Sequence, residues 1–132
     1  MSNSLQKEWL EPLPKKCPPE DAETPVNRLF YRIVDSVPPT EQDFASQRAL
    51  QPAKFFKDVD ECTARSTSVF DSYDRCKAKR DSRPAFRSRK IVEVRLTAES
   101  GVIKKTFGPS HYSWWRYKGF DTAAESILAE YE

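Results

Sequence analysis

The sequence predicts a small α+β fold in which two or three short helices cover a mainly antiparallel sheet. Its 132 residues suffice for one domain. Short runs of aromatic and β-branched residues lie between turn signals, which is the pattern of strands. Five of the ten prolines fall within the first 27 residues. We therefore divide the chain into a proline-rich extended arm, residues 1–27, and a single α+β domain, residues 28–132.

The arm is expected to be extended, because its prolines lack an amide donor and favour open backbone. Trp9 and Leu10 interrupt an otherwise polar stretch of it. Two interpretations stay open. Either these side chains dock the arm onto its own domain or a partner, or the arm is a disordered leader with an incidental tryptophan.

The first predicted strand covers residues 29–34, an aromatic and β-branched run that a pair of prolines follows. Arg32 interrupts this run. Either its charged end lies on a solvated face while its stem covers apolar surface, or it points into a cleft and binds an anion. A capping box at Thr40 then begins a short helix to Leu50, which is expected to bury Phe44.

Residues 53–65 are of mixed polarity. Phe55 and Phe56 are the only pair of residues there that we expect to be buried. Residues 66–70 predict a short strand or a turn. Asp71 is expected to cap a second helix, which Pro84 prevents from continuing.

Residues 86–97 alternate in polarity and place Val92, Val94 and Leu96 on one face of a strand. A second apolar run covers residues 102–107. The connection between them has four residues and contains Gly101, so the two runs predict an antiparallel hairpin.

The aromatic stretch 107–120 holds the only histidine and two of the three tryptophans. Such side chains dominate both cores and interfaces. Residues 111–115 predict a strand or an edge loop. We expect Phe107 and one face of this segment to lie in the core, which leaves the other face and residues 116–118 for recognition. Beyond it, Thr122 and Glu125 form a capping box that predicts a C-terminal helix. A closing strand over residues 127–131 is the alternative.

Charge is distributed unevenly along the chain. The net charge is +2, yet residues 75–90 carry eight basic side chains against Asp81 alone. This segment is therefore +7 and the remainder −5. It is either a solvated helix end with a charged loop or an electrostatic footprint for nucleic acid or another acidic partner.

Several function classes are not expected. No apolar run approaches the roughly 18 residues of a membrane span, and the N-terminus lacks the features of a secretory signal. The three cysteines form no C-x-x-C pair, so we expect no disulfide framework and a reducing cytoplasm. His111 with Cys62 and Cys76 matches no zinc module, and glycine-rich phosphate loops are lacking. We expect no metal and no cofactor.

The chain has two recognition features, the aromatic stretch 107–120 and the basic segment 75–90, and it lacks a complete catalytic constellation. This combination predicts a non-enzymatic cytoplasmic interaction protein. Its partner would be acidic, either a protein or a nucleic acid, and not a membrane. Interleaved aromatic and basic side chains suit single-stranded nucleic acid, and the same residue types are enriched in protein interfaces. The expected binding residues are Trp114, Trp115, Arg116, Tyr117, Lys118, Lys79, Arg80, Arg83, Arg87, Arg89 and Lys90.

An enzyme is the alternative, and it comes from a resemblance. Arg32, then Ser66-Thr67-Ser68, then Glu130-Tyr131-Glu132 follow the chain order R…S-T-S…E-x-E. In this the chain resembles the arginine-type ADP-ribosyltransferases. The resemblance implies NAD as the cosubstrate, with Arg32 and Ser66 holding its phosphate and ribose. It also implies that Glu132 stabilises an oxocarbenium-like transition state and that Glu130 orients the acceptor.

A second resemblance covers more of the chain. The pattern YR…PPTxxDF…SVFD…HYxxW, which begins at Tyr31 and ends at Trp115, is similar to that of a group of small uncharacterised bacterial proteins. This resemblance implies a compact prokaryotic domain from about residue 28 onwards, and it implies no particular activity.

Overall fold

A computed structural model of the chain describes residues 7–129. One six-stranded sheet dominates it, with the strand order β4-β5-β2-β1-β3-β6 and every neighbouring pair antiparallel. The strands are β1 (Arg28–Val34), β2 (Thr67–Phe70), β3 (Lys90–Leu96), β4 (Gly101–Lys105), β5 (His111–Arg116) and β6 (Ser126–Leu128). The α+β class is confirmed.

Four helices accompany the sheet, and three of them are single turns. They are α1 (Gln47–Leu50), α2 (Glu61–Ala64), α3 (Tyr73–Asp81) and α4 (Thr122–Glu125). Short 3-10 turns cover Glu41–Phe44 and Pro84–Phe86.

Capping residues explain where the helical segments begin. The capping box at Thr40 is confirmed, and it begins the 3-10 turn that buries Phe44. The predicted continuous helix to Leu50 is interrupted, since Ser46 caps α1 separately. The prediction that Asp71 caps α3 is wrong. Ser72 is the cap, because its side chain accepts a hydrogen bond from the backbone amide of Arg75.

The core lies on the inner face of the sheet, where side chains from five strands meet. Its buried members are Phe30, Val34, Phe44, Val69, Val92, Val94, Leu96, Ile103, Tyr112 and Trp114. On the outer face, α3 packs over β1 and β2 and buries Cys76 against Ile91. Strands β1 and β3 therefore contribute to both cores, because successive side chains of a strand point to opposite faces of the sheet.

The predicted hairpin of residues 86–97 and 102–107 is wrong. Both strands exist, but β3 pairs with β1 and β6, whereas β4 pairs only with β5. In a flat sheet β3 and β4 would be four strand spacings apart, roughly 19 Å. The link of residues 97–100 can span about 17 Å at most, so the sheet must curl around its inner face. The predicted connection, residues 98–101 with its glycine, fits this corner as well as it fits a hairpin.

The arm docks onto its own domain. Trp9 forms a bridge with Tyr117, and their rings lie 4.8 Å apart. Further along, Glu23 exchanges two backbone hydrogen bonds of 2.8 Å with Ile103 on β4. This pairing covers part of a sheet edge that would otherwise present unpaired amides.

A disulfide joins the arm to α2, contrary to expectation. Cys17 is bonded to Cys62, and Cys76 is the remaining thiol, buried under α3. Burial raises the pKa of Cys76 to about 12, so this thiol stays protonated. The odd cysteine count was a poor guide because one cysteine serves as an ordinary apolar core residue.

Three further expectations were settled by burial, capping and strand pairing. Phe55 is 83% exposed, so the prediction that it is buried beside Phe56 is wrong. At the C-terminal end, Asp121 caps α4 by accepting a hydrogen bond from the Ala124 amide, so the predicted capping box of Thr122 and Glu125 is wrong. Helix α4 is one turn and β6 follows it, which favours the closing strand over the longer helix. None of the helices within residues 7–129 has the length and apolar character that crossing a bilayer requires.

Candidate anion-binding cleft

The centre of the aromatic stretch is core. Trp114 and Trp115 are 0% and 1% exposed, and their indole N–H groups donate to the carbonyls of Ser100 and Cys62. Arg116 is also buried, and its guanidinium donates to Glu41 at 3.0 Å. The prediction that these three side chains form a binding surface is therefore wrong. Aromatic rings at consecutive positions of a central strand fill the space on both sheet faces.

The end of the same stretch contacts the arm. Tyr117 packs against Trp9, and the backbone amide of Lys118 donates to the carbonyl of Glu8 at 2.7 Å. The Lys118 ammonium also pairs with the Glu8 carboxylate at 3.2 Å. The arm thus covers part of Tyr117, whereas the Lys118 side chain stays 63% exposed. A binding role for these two residues stays a prediction.

The basic segment 75–90 divides into paired and unpaired cations. Arg80 is buried and donates to the Arg89 carbonyl at 3.0 Å, so its predicted role as a surface ligand is wrong. Arg89 pairs with Asp35 at 2.9 Å. Arg87 donates to the Asp81 carbonyl, and Lys90 is exposed at the start of β3. A binding role for Arg87 and Lys90 stays a prediction.

The unpaired cations of the segment, together with Arg89 and with Arg32 of β1, line a cleft of about 730 Å³ on the outer face of the sheet. We call it the basic cleft, and its size is in the range of small-ligand sites. It lies between α3, the segment 83–89, the turn 107–110 and strands β1, β2 and β5. Its cationic lining residues are Arg32, Arg75, Lys79, Arg83 and Arg89. Among the described residues no carboxylate lines it.

Helix α3 separates its paired charges from its unpaired ones. On the side away from the cleft, Lys77 forms an i,i+4 ion pair with Asp81 at 2.9 Å. On the cleft side, Arg75 and Lys79 have the same spacing but like charge, which costs a helix about 0.2–0.5 kcal/mol. Arg83 extends this row, and none of the three forms an ion pair with another residue in the range 7–129. A bound anion would relieve this repulsion.

Arg32 forms part of the cleft where β1 and β2 separate. The two strands pair at one position, Tyr31 with Phe70. Beyond it, the Arg32 guanidinium donates to the carbonyls of Ser68 at 2.6 Å and Asp43 at 2.8 Å. Burial lowers the pKa of Arg32 to about 10, so the group stays charged at neutral pH. It therefore adds positive charge to the cleft while its nitrogens hold the fold together.

Three phenylalanines also line the cleft, and one of them has a free face. Phe86 is covered by the guanidinium of Arg89 at 4.5 Å, and Phe70 lies edge-on to His111. Phe107 also lies edge-on to His111 but is 67% exposed, so the prediction that it is a core residue is wrong. Its φ of +54° is in the left-handed region, which costs a residue with a side chain roughly 1–2 kcal/mol. The turn therefore holds a large apolar ring in solvent at an energetic cost.

His111 lies in the cleft between the rings of Phe70 and Phe107. Burial lowers its pKa below the ordinary value of 6.5, and the charges of Lys79 and Arg32 lower it further. A hydrogen bond between Nδ1 and the Thr106 carbonyl acts in the opposite direction. The imidazole is thus neutral at pH 7.

A titration of His111 tests this electrostatic description of the cleft. It is the only histidine, so one imidazole resonance can be followed by proton NMR. We expect a midpoint below 6.5, and an upward shift when inorganic polyphosphate neutralises nearby cations. The pKa of His111 is lower in the folded chain than in the unfolded chain, so protonation of His111 favours unfolding. His111 therefore lowers the free energy of unfolding as the pH falls below about 6.5. A midpoint at or above 6.5 in the free protein would contradict the description.

The residues of the enzyme alternative are only partly within the described structure. Arg32 is hydrogen-bonded to two backbone carbonyls, as above. Ser66 donates its hydroxyl to the Thr63 carbonyl at 2.7 Å. Glu130 and Glu132 lie outside the described residues. The ADP-ribosyltransferase resemblance and its use of NAD stay predictions.

Comparisons with known proteins add no relative. No protein-family model matches the chain, and neither a curated protein nor a solved structure matches it significantly. Within residues 7–129 no group of three or more His, Cys, Asp or Glu side chains is placed to hold a metal ion. The functional argument therefore rests on the cleft itself.

Part of the cleft could not be predicted from the sequence. Lys79, Arg83 and Arg89 were expected binding residues, and one interpretation placed Arg32 in a cleft, but no specific binding role was predicted for Arg75 or Phe107. The i, i+4 spacing of residues 75 and 79 was a usable signal, because it places two cations on one side of a helix. Arg83 lies beyond the end of α3 in extended backbone, so helical spacing does not predict its place in the cleft. Nothing in the sequence marks Phe107 as exposed, since an apolar residue at the end of a strand is more often buried.

Proposed function

We propose that this protein is a non-enzymatic binding protein that takes an acidic partner in the basic cleft. The observation that carries the proposal is the row of Arg75, Lys79 and Arg83, which have no carboxylate partner in the described structure although the opposite side of α3 is paired. Unpaired cations of one sign in a concave site raise the local concentration of anions. The chemistry of the lining thus fits phosphates or carboxylates on a partner.

The centre of recognition differs from the one that the sequence predicts. The tryptophans of β5 are buried and do not line the cleft, whereas cations of the segment 75–90 supply its charge. Single exposed salt bridges contribute little to affinity. Several cations around one cavity act together on a polyanion, which releases its counterions when it binds.

The test compares two lysines of the same helix. Lys79→Gln removes a cleft charge, whereas Lys77→Gln removes a charge on the paired side. With long-chain inorganic polyphosphate as the probe, we expect Lys79→Gln to weaken binding about three- to tenfold and to make the salt dependence less steep by about one unit of slope. Isothermal titration calorimetry at several salt concentrations measures both quantities.

Lys77→Gln is the matched control and is expected to leave the affinity within about twofold, because long-range effects of an exposed charge are screened. Equal losses in the two variants would mean that binding follows net charge and not the cleft. Binding that does not respond to salt, or no binding at all, would reject the proposal.

We propose further that the redox state of Cys17 and Cys62 reports where the protein acts. The cytoplasmic location expected from the sequence would keep both as thiols, whereas an oxidising compartment would preserve the bond between them. Trapping free thiols in freshly lysed source cells, followed by mass spectrometry, distinguishes the two. Recovery of the oxidised pair would contradict a cytoplasmic location.

A further inference from the structure

We propose that the acidic partner is a single-stranded nucleic acid, one base of which stacks on Phe107 while its phosphates lie along Lys79 and Arg83. This inference rests on the proposed function and adds the class of ligand to it. A cleft that only attracted anions would need cations alone. This one also presents an aromatic face.

The position of Phe107 supports a stacking role. Its ring is 67% exposed and belongs to the lining of the same cavity as the cations of α3. The residue is held in left-handed backbone, at φ +54°, immediately before Gly108 at φ +137°. Backbone strain at a non-glycine residue persists where the surroundings impose it, and such residues cluster at functional sites. An exposed ring also loses the free energy that burial would provide.

Exposure distinguishes Phe107 from the other two phenylalanine rings of the cleft. Arg83 and Arg89 lie over Phe86, at 5.7 and 4.5 Å from its ring centre. Phe70 and Phe107 both make an edge contact with His111, but Phe70 is half-buried whereas Phe107 is 67% exposed. We therefore assign the stacking position to Phe107, which has guanidinium and ammonium groups beside it in the same cavity.

The ligand must have accessible base faces, which excludes a duplex. In a base-paired helix the faces are covered by neighbouring bases, and exposing one costs unstacking energy. Single strands combine free faces with a backbone phosphate at every residue, and proteins bind them with stacking rings and nearby cations. The cleft volume of about 730 Å³ suits a short segment of one strand, not the width of two. An acidic peptide would use the cations but would leave Phe107 without a partner.

The experiment separates stacking from charge. Fluorescence anisotropy follows a labelled oligothymidine of about ten nucleotides, a length within the site sizes of such proteins, and polyphosphate serves as the charge-only probe. We expect Phe107→Ala to weaken oligothymidine binding about 5- to 100-fold, while its affinity for polyphosphate changes by less than about twofold. Phe107→Tyr keeps an aromatic face and should restore binding of the single strand.

Phe55→Ala is the control, because Phe55 is 83% exposed but does not line the cleft. It should alter neither affinity. The same oligothymidine annealed to its complement should bind more weakly than the single strand. If polyphosphate binds while Phe107→Ala leaves oligothymidine binding unchanged, or if a polyglutamate peptide competes as well as the single strand, the stacking inference is wrong and the proposed function stands. If polyphosphate does not bind, the proposed function itself fails.

Discussion

Gly101→Ala should destabilise the protein by more than about 4 kcal/mol, a loss that few single substitutions cause. A Cβ atom at this position would lie 2.0 Å from the Trp115 carbonyl oxygen and 3.0 Å from the Trp114 indole nitrogen. The Trp115 carbonyl belongs to the backbone of β5, which cannot move aside as the end of a flexible side chain can. The φ of +137° adds strain for any residue with a side chain. Urea unfolding of the purified variant measures the loss.

Gly108→Ala is a matched control, because Gly108 has the same φ of +137° and nothing within 4 Å of its Cβ position. In this variant only the backbone strain lowers the free energy of unfolding, by about 1–3 kcal/mol. The difference between the two variants therefore isolates the close approach of β4 and β5. Equal losses of free energy would mean that the strands do not meet as described. A Gly101→Ala chain that fails to fold while Gly108→Ala folds agrees with the prediction.

Trp114→Ala is expected to lower the free energy of unfolding by about 3–5 kcal/mol. The indole is 0% exposed, makes edge contacts with the rings of Phe44 and Phe120, and donates a hydrogen bond to the Ser100 carbonyl. Alanine leaves a cavity at the centre of the inner core. It also removes one of the two hydrogen bonds that the Ser100 carbonyl accepts, the other coming from the Tyr117 amide. Urea or thermal unfolding detects the change directly.

Tyr117→Ala, three residues away, is the comparison. Tyr117 is half-buried, and its aromatic contact is with Trp9 of the arm. We expect a loss of roughly 0.5–1.5 kcal/mol, the size of one exposed aromatic pair. Should Trp114→Ala prove as stable as Tyr117→Ala, Trp114 would not be a core residue. Its original interpretation as part of a recognition surface would then regain support.

The basic cleft illustrates what sequence patterns miss about a site. The concentration of cations in residues 75–90 was visible, and Lys79 and Arg83 were among the expected ligands. Which cations remain unpaired depends on partners far away in the chain, such as Asp35 for Arg89. Arg80 shows the same limit, because a residue in the middle of a basic run is buried against a backbone carbonyl.

The sequence by itself determined the local elements of this protein. Alternation and β-branching located β1 and β3, and the capping box at Thr40 located the turn that buries Phe44, because each depends on residues within a few positions of one another. The tertiary structure alone decided which strands pair, that Cys17 meets Cys62, and that Trp114 and Trp115 are core. These outcomes depend on contacts between distant segments, and a four-residue link with a glycine is equally compatible with a hairpin and with the corner of a curled sheet.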